Sequence, residues 1–361
     1  MRIWVHKSAV AVILVMTLLL SITVTVSAET QPTETAMPTQ IVEATAPAES
    51  PTVAPAEAPT EPDDSKIQIN KVNAKSAIFQ LCDELAQNME ARQIIVYDTN
   101  TDTILYTKSV ETDKLYPASV TKLFSAYVAL QYLDPDAIIT AGDELDLVHE
   151  GSSMAFVSQG SQVYVKMIIE GMMLPSGNDA AMVLAAAAGR AIAQDENLPA
   201  ADAVQEFVNE MNRQADALGF EKTHFVNPDG WHSGSHYTCL ADMARIAKLA
   251  LENKTIRRYM QMHKDETNFV SGQTVIWENT NLLLNPTAGY YNRDAIGMKT
   301  GYTRPAGYCL MSAFTFEEGE IVVGLFGYVN KYARFDDAEI LFEACRDQLW
   351  LELLQAVTSV G

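Results

Sequence analysis

The sequence predicts a mixed α/β domain: one antiparallel sheet that takes strands from both ends of the domain and encloses a helical insertion. Two observations carry this. Segments of strand period lie near residues 93–107 and again near 308–329, and between them apolar residues recur at helical spacing. Short polar breaks join the strand segments in pairs, as hairpin loops do.

The elements follow in order. Gln93-Ile-Ile-Val-Tyr97 and Thr103-Ile-Leu-Tyr-Thr107 flank Asp98-Thr-Asn-Thr-Asp102 and read as a hairpin. Pro117 opens a helix through Leu123, Phe124, Tyr127, Val128 and Leu130, because a first helical turn does not need the N–H that Pro lacks. Asp134-Pro135 stops it. Residues 163–174 and 179–193 read as two helices around a Pro175-Ser-Gly-Asn178 break, and 240–251 as another. Residues 308–315 and 320–329 form a second hairpin around Glu317-Glu318-Gly319. A last helix places Ala338, Leu341, Cys345 and Leu349 on one face.

The 361-residue chain divides into three unlike segments. Residues 1–28 hold Arg2 and Lys7, then an apolar run over 9–26, then Val26-Ser27-Ala28, the pattern of a secretory signal or an uncleaved N-terminal anchor. Residues 29–66 hold seven of the 14 prolines and no aromatic residue, so they bury too little apolar surface to offset ordering entropy and read as an extended, disordered linker. The working domain is 67–361. The chain carries 46 acidic against 25 basic residues, a net −21, which repels phosphate and excludes nucleic acid as a partner. Any membrane contact falls to the N-terminal segment, and the rest is expected outside the cytoplasm.

Three short motifs carry chemistry. Ser119-Val-Thr-Lys122 puts a hydroxyl and an amine one helical turn apart on the same face. A Ser hydroxyl needs an adjacent base to become a nucleophile. Lys serves once neutral, and bringing its pKa from about 10.4 to about 7 costs roughly 4–5 kcal/mol, which burial and a second cation can impose. Helix N-terminal N–H groups beside Ser119 can stabilise an oxyanion. Ser176-Gly-Asn178 presents a hydroxyl and an amide between two helices. Lys299-Thr300-Gly301 leads into the strand with Tyr308 and Cys309, and offers a cation and a hydroxyl to a carboxylate. Gly301 leaves room for close backbone approach. Ser-x-x-Lys and Ser-x-Asn each arise about once by chance in a chain this long, and Lys-Thr-Gly in roughly one such chain in ten; all three occur here once, in this order, 57 and 123 residues apart.

The set resembles that of penicillin-binding proteins and serine β-lactamases. The surrounding text is closer to low-molecular-mass serine D-alanyl-D-alanine carboxypeptidases: Tyr116-Pro-Ala-Ser-Val-Thr-Lys-Leu123, Met173-Leu-Pro-Ser-Gly-Asn-Asp-Ala-Ala181, Phe225-Val-Asn-Pro-Asp-Gly230 with His236-Tyr-Thr, and Gly297-Met-Lys-Thr-Gly-Tyr-Thr303 with Ala306-Gly-Tyr-Cys309. The likeness spans roughly residues 75–350. It implies a β-lactamase/transpeptidase-like fold, an antiparallel sheet flanked by helices with an all-helical subdomain. The C-terminal β domain that many members carry is not expected after the last helix.

The resemblance implies roles. Ser119 attacks the penultimate D-Ala carbonyl of a peptidoglycan stem peptide, with Lys122 as general base. Ser176 relays a proton and Asn178 orients the substrate amide. Lys299 and Thr300, beside Gly301, hold the terminal carboxylate. The Ser119 and Tyr302 N–H groups form the oxyanion hole, and β-lactam antibiotics are inhibitors. No cofactor or metal is implied. The family turn more often reads Asn-Pro-His-Gly, where this chain has Asn227-Pro-Asp-Gly230. Cys82 and Cys345, on the first and last helices, become neighbours in this fold; a disulfide is open to them, with two thiols the favoured reading.

Other readings have discriminating features. His232 and His236 are separated by Ser-Gly-Ser with no Glu after His232, against a zinc peptidase, and read as loop and packing residues, with His236 near the cleft. A class A β-lactamase adds Glu-x-x-Leu-Asn, which is missing between Asn178 and Lys299. A D,D-endopeptidase on cross-links shares every motif. A non-catalytic penicillin sensor keeps them too but usually adds a multi-spanning region.

Overall fold

The computed structural model describes residues 68–317 and 319–359. The expected export signal over 1–28 and the linker over 29–66 lie outside the described residues.

The chain runs β1 (Asn70–Lys71), α1 (Ala77–Ala86), β2 (Gln93–Asp98), β3 (Thr103–Lys108), a tight helical turn (Ala118–Thr121), α2 (Lys122–Ala129), β4 (Ile138–Thr140), β5 (Gln162–Tyr164), α3 (Val165–Met173), α4 (Asn178–Ala193), α5 (Ala200–Ala217), α6 (Leu240–Glu252), α7 (Lys254–Met260), β6 (Lys264–Asn268), β7 (Thr274–Glu278), β8 (Ala295–Thr303), β9 (Gly307–Phe316), β10 (Gly319–Tyr328) and α8 (Ala333–Ser359). The main sheet has the order β1-β3-β2-β10-β9-β8. Only the short β1–β3 pair is parallel. The two ends of the domain meet where β2 pairs antiparallel with β10, Val96 opposite Val323. This is the enclosing sheet that the strand segments predict.

Both faces of the sheet are covered, and strand alternation shows it. Ile95 and Tyr97 of β2 enter the larger core, with Phe124, Ile168, Leu184 and Phe207 of the helical part. Ile94 and Val96 enter a second core with Cys82 of α1 and Phe342 and Cys345 of α8. The helical part also contains two ribbons, β4–β5 and β6–β7.

Three local expectations change. Residues 163–174 do not form one helix: Val163 pairs with Ile139 in a short strand, and α3 begins at Val165 after an extended Tyr164. The sequence there is β-branched and aromatic, which suits a pleated surface as well as a helix face. Lys299-Thr300-Gly301 does not merely lead into a strand; it sits inside β8, with Gly301 opposite Cys309 of β9. The helix after Pro117 does not start as an α-helix, and its first turn has consequences for the site. Among the described residues, no helix is long and apolar enough to cross a membrane.

Candidate active site

Ser119 sits on the Ala118–Thr121 turn, where the Lys122 N–H bonds back to the Ser119 carbonyl three residues earlier. A three-residue period stacks positions i and i+3 directly, so the tighter turn aligns Ser119 with Lys122 better than an α-helix would. Ala118 holds φ +49°. Two glycines press on this turn from either side. A Cβ on Gly230, itself at φ +83°, would lie 1.9 Å from the Ala118 carbonyl oxygen. One on Gly301 would lie 2.9 Å from the Pro117 carbonyl oxygen and 3.0 Å from the Ser119 nitrogen. Only residues without a Cβ allow the Asn227–Gly230 turn and β8 to approach so closely.

Lys122 is wholly buried. Its Nζ lies 2.9 Å from Ser119 Oγ, 2.7 Å from Asn178 Oδ1 and 2.8 Å from the Asp229 carbonyl oxygen. As an ammonium it donates to all three. As a neutral amine it spends two N–H groups on the two carbonyl oxygens, which can only accept, and its lone pair is left facing the Ser119 hydroxyl. Burial pushes its pKa down to about 8, against the opposing pull of the Asp229 and Asp179 carboxylates.

Asn178 opens α4, and its carboxamide is engaged at both ends: Oδ1 accepts from Lys122, and Nδ2 donates to Ser152 Oγ at 3.0 Å. One Nδ2 hydrogen is left for a substrate amide. Ser176, at φ +65°, precedes it. The Ser176 carbonyl accepts from Ser153 Oγ at 2.9 Å, and its hydroxyl makes no hydrogen bond to Ser119 or Lys122 among the described residues. Asp179 is fully buried and accepts from the Ala155 and Val157 N–H groups, which fastens the 152–157 strap along the motif.

Across the turn, β8 carries Lys299, buried, with its Nζ donating to the Thr300 carbonyl at 3.1 Å. Burial, and then the Lys122 and Arg334 charges, hold its pKa well below the ordinary lysine value. Thr300 Oγ1 is 2.6 Å from Thr280 Oγ1. Arg334, at the start of α8, donates to the Cys309 carbonyl at 2.9 Å and so fixes β9, on which β8 leans. Tyr302 follows Gly301 and stacks its half-exposed ring on Tyr308.

The structure therefore joins Ser119, Lys122 and Asn178 by direct hydrogen bonds and lays Gly301 against their turn. Lys299, Thr300 and Tyr302 stand on that same strand, while Ser176 is placed by its backbone alone. His236 is buried against the Ser119 turn: Val226 N–H donates to its Nδ1, which leaves Nε2 to donate to Thr121 Oγ1 at 2.9 Å. Burial pushes its pKa down to about 3, so it stays neutral. Ser152, Thr280 and Arg334 carry no motif signal in the sequence, whereas Asp179 directly follows Ser176-Gly-Asn178 and Asp229 stands in the Asn-Pro-Asp-Gly turn.

Comparison with known proteins agrees with the geometry. The D-alanyl-D-alanine carboxypeptidase family profile matches residues 81–326. A D-alanyl-D-alanine carboxypeptidase of Streptomyces sp. (strain K15) is 35% identical over 236 residues, 63% of this chain and 77% of that protein. D-alanyl-D-alanine carboxypeptidase DacF of Bacillus subtilis (strain 168) is 30% identical over 62% of this chain. The chain spans about half of that relative's length, 54%. The crystal structure of the Streptomyces K15 DD-transpeptidase superposes with a TM-score of 0.64 at 30% identity, covering 72% of this chain and 97% of that one.

Proposed function

This chain belongs to the D-alanyl-D-alanine carboxypeptidase family, and on that footing we propose that it removes the terminal D-Ala from peptidoglycan pentapeptide stems outside the cytoplasm. The observation that carries the reading is the Lys122 amine, buried and held by two carbonyl oxygens with its third direction on Ser119 Oγ. Ser119 Oγ adds to the penultimate D-Ala carbonyl while its proton passes to Lys122. The C–N bond then breaks, D-Ala leaves with that proton, and water hydrolyses the acyl-enzyme. Lys299 and Thr300 receive the substrate carboxylate. The Ser119 and Tyr302 N–H groups receive the oxyanion, Asn178 the peptide amide, and Ser176 the proton on its way to the leaving group. Residues 1–28 serve export and 29–66 a spacer.

β-Lactams acylate the same serine and deacylate slowly. A second reading, transfer of the acyl group to an amine, is favoured by the K15 neighbour's description as a DD-transpeptidase. Incubation with a synthetic stem peptide ending in D-Ala-D-Ala, with and without glycine as acceptor, separates the two. We expect D-Ala release that penicillin and Ser119→Ala both abolish. Release without acylation of Ser119 overturns the assignment, and a glycine-capped product in place of the tetrapeptide favours transfer.

A further inference from the structure

Phe156 is the only aromatic residue among the described residues with φ in the left-handed region, +62°. A bulky side chain is rarely found there. It is also 69% exposed, so packing does not hold the ring in place. The backbone around it is fastened on every side. The flanking Ala155 and Val157 N–H groups both donate to the buried Asp179 carboxylate, at 2.7 and 2.9 Å. The Ala155 carbonyl accepts from Trp277 Nε1 at 2.9 Å, and the Phe156 carbonyl from Gln273 Nε2 at 2.8 Å. One carboxylate gripping the amides on both sides of a residue curls the chain between them, and the side chain is turned outward.

That residue stands beside the reaction centre. Ala155 lies directly against Gly177, where an added Cβ would fall 2.6 Å from the Ala155 Cβ. Four residues earlier, Ser152 holds the Asn178 amide that in turn holds Lys122. Glycine or asparagine at 156 would meet the same clamp without the strain, and a polar side chain would suit the exposure. A strained, solvent-facing aromatic on a rigid strap points to a contact made only when a ligand arrives.

We propose that Phe156 is a specificity residue, an apolar wall of the cleft for the acyl half of the substrate, taking aliphatic or aromatic groups upstream of the attacked carbonyl. The proposal rests on Ser119 being the acylated nucleophile. Its test uses two probes with one reactive nucleus: benzylpenicillin, which carries a phenylacetyl group on the acyl side, and 6-aminopenicillanic acid, which has none. In both, the Ser119 Oγ–carbonyl bond forms as the lactam C–N bond breaks, and the serine proton ends on the ring nitrogen.

Phe156→Ala and Phe156→Gly should lower the second-order acylation rate constant for benzylpenicillin about 10-fold, the worth of one buried aromatic contact. That for 6-aminopenicillanic acid should change less than about two-fold, since nothing apolar is lost there. The melting temperature of Phe156→Gly should equal or exceed the parent's, because Gly accepts φ +62° without strain. Equal losses with both probes, or no loss with either, overturn the proposal. If neither probe labels the parent chain, the Ser119 reading fails first and takes this one with it.

Discussion

At the scale of the residue, the chemistry turns on the protonation of Lys122. Its folded pKa of about 8 lies below the unfolded value because burial disfavours the ammonium. In the proposed mechanism the neutral amine is the base, so acylation by penicillin should rise with pH through about 8 and level off above it. A rate flat from pH 6 to pH 9 would remove Lys122 from the proton transfer. Lys122→Ala should slow acylation by about 10³-fold or more while leaving the circular dichroism spectrum intact, since a general base acting on a serine supplies roughly that factor. Lys299→Ala should weaken substrates with a free terminal carboxylate far more than their esters; equal losses on both would end its carboxylate role.

At the scale of the element, two close approaches set the geometry. Gly301→Ala inserts a methyl 3.0 Å from the Ser119 nitrogen, in a strand that can otherwise accept alanine. The fold should survive and the Ser119 turn shift, and a displacement near 1 Å costs roughly 10²-fold in rate. Acylation kinetics and melting temperature, read together, separate this from simple destabilisation. On α3, Glu170 is buried, accepts from Thr267 Oγ1 at 3.0 Å and shares a hydrogen bond with Asp265. Burial first, then that carboxyl neighbour, push its pKa up to about 8. A raised folded pKa means that the native state binds the extra proton, so this contribution is complete below the unfolded value of 4.5 and is lost as pH rises through about 8. Glu170→Gln should flatten the fall in melting temperature between pH 5 and pH 9. An unchanged slope would show that the carboxyl is already ionised.

At the scale of the whole molecule, the sheet depends on both ends of the domain. β10 lies between β2 and β9, and the second core under it is completed by α8. A chain cut after Glu317 should therefore not fold, because β2 and β9 would be left with bare edges and Cys82, Ile94 and Phe314 would lose their cover. A soluble truncated chain with native penicillin labelling would contradict this. The same core brings Cys82 Sγ within 3.3 Å of Cys345 Sγ, the neighbouring placement expected of the first and last helices.

Periodicity made the two outer hairpins legible, because alternation along 93–97 and 308–329 reports burial that the sheet then realises. The same signal runs through α5, where Phe207, Met211 and Ala215 recur at helical spacing. It was ambiguous at Val163, where a strand and a helix want the same residues. Ser119 and Lys122 were legible as a pair since their contact is local, three residues apart. The oxygens that steer Lys122 were not: one belongs to Asn178, and the other is the backbone carbonyl of Asp229, 107 positions away, which carries no side-chain signature. The strained ring of Phe156 was equally silent, since its conformation is imposed by Asp179. Propensity and local spacing, which are properties of neighbours along the chain, suffice for the two outer hairpins and for Ser119 and Lys122 as a reactive pair, but not for β5, α5 or the β6–β7 ribbon. The tertiary structure alone decided the tight turn under Ser119, the neutral histidine behind it and the direction of the lysine lone pair, because each is set by desolvation and by atoms that only folding brings within hydrogen-bonding reach.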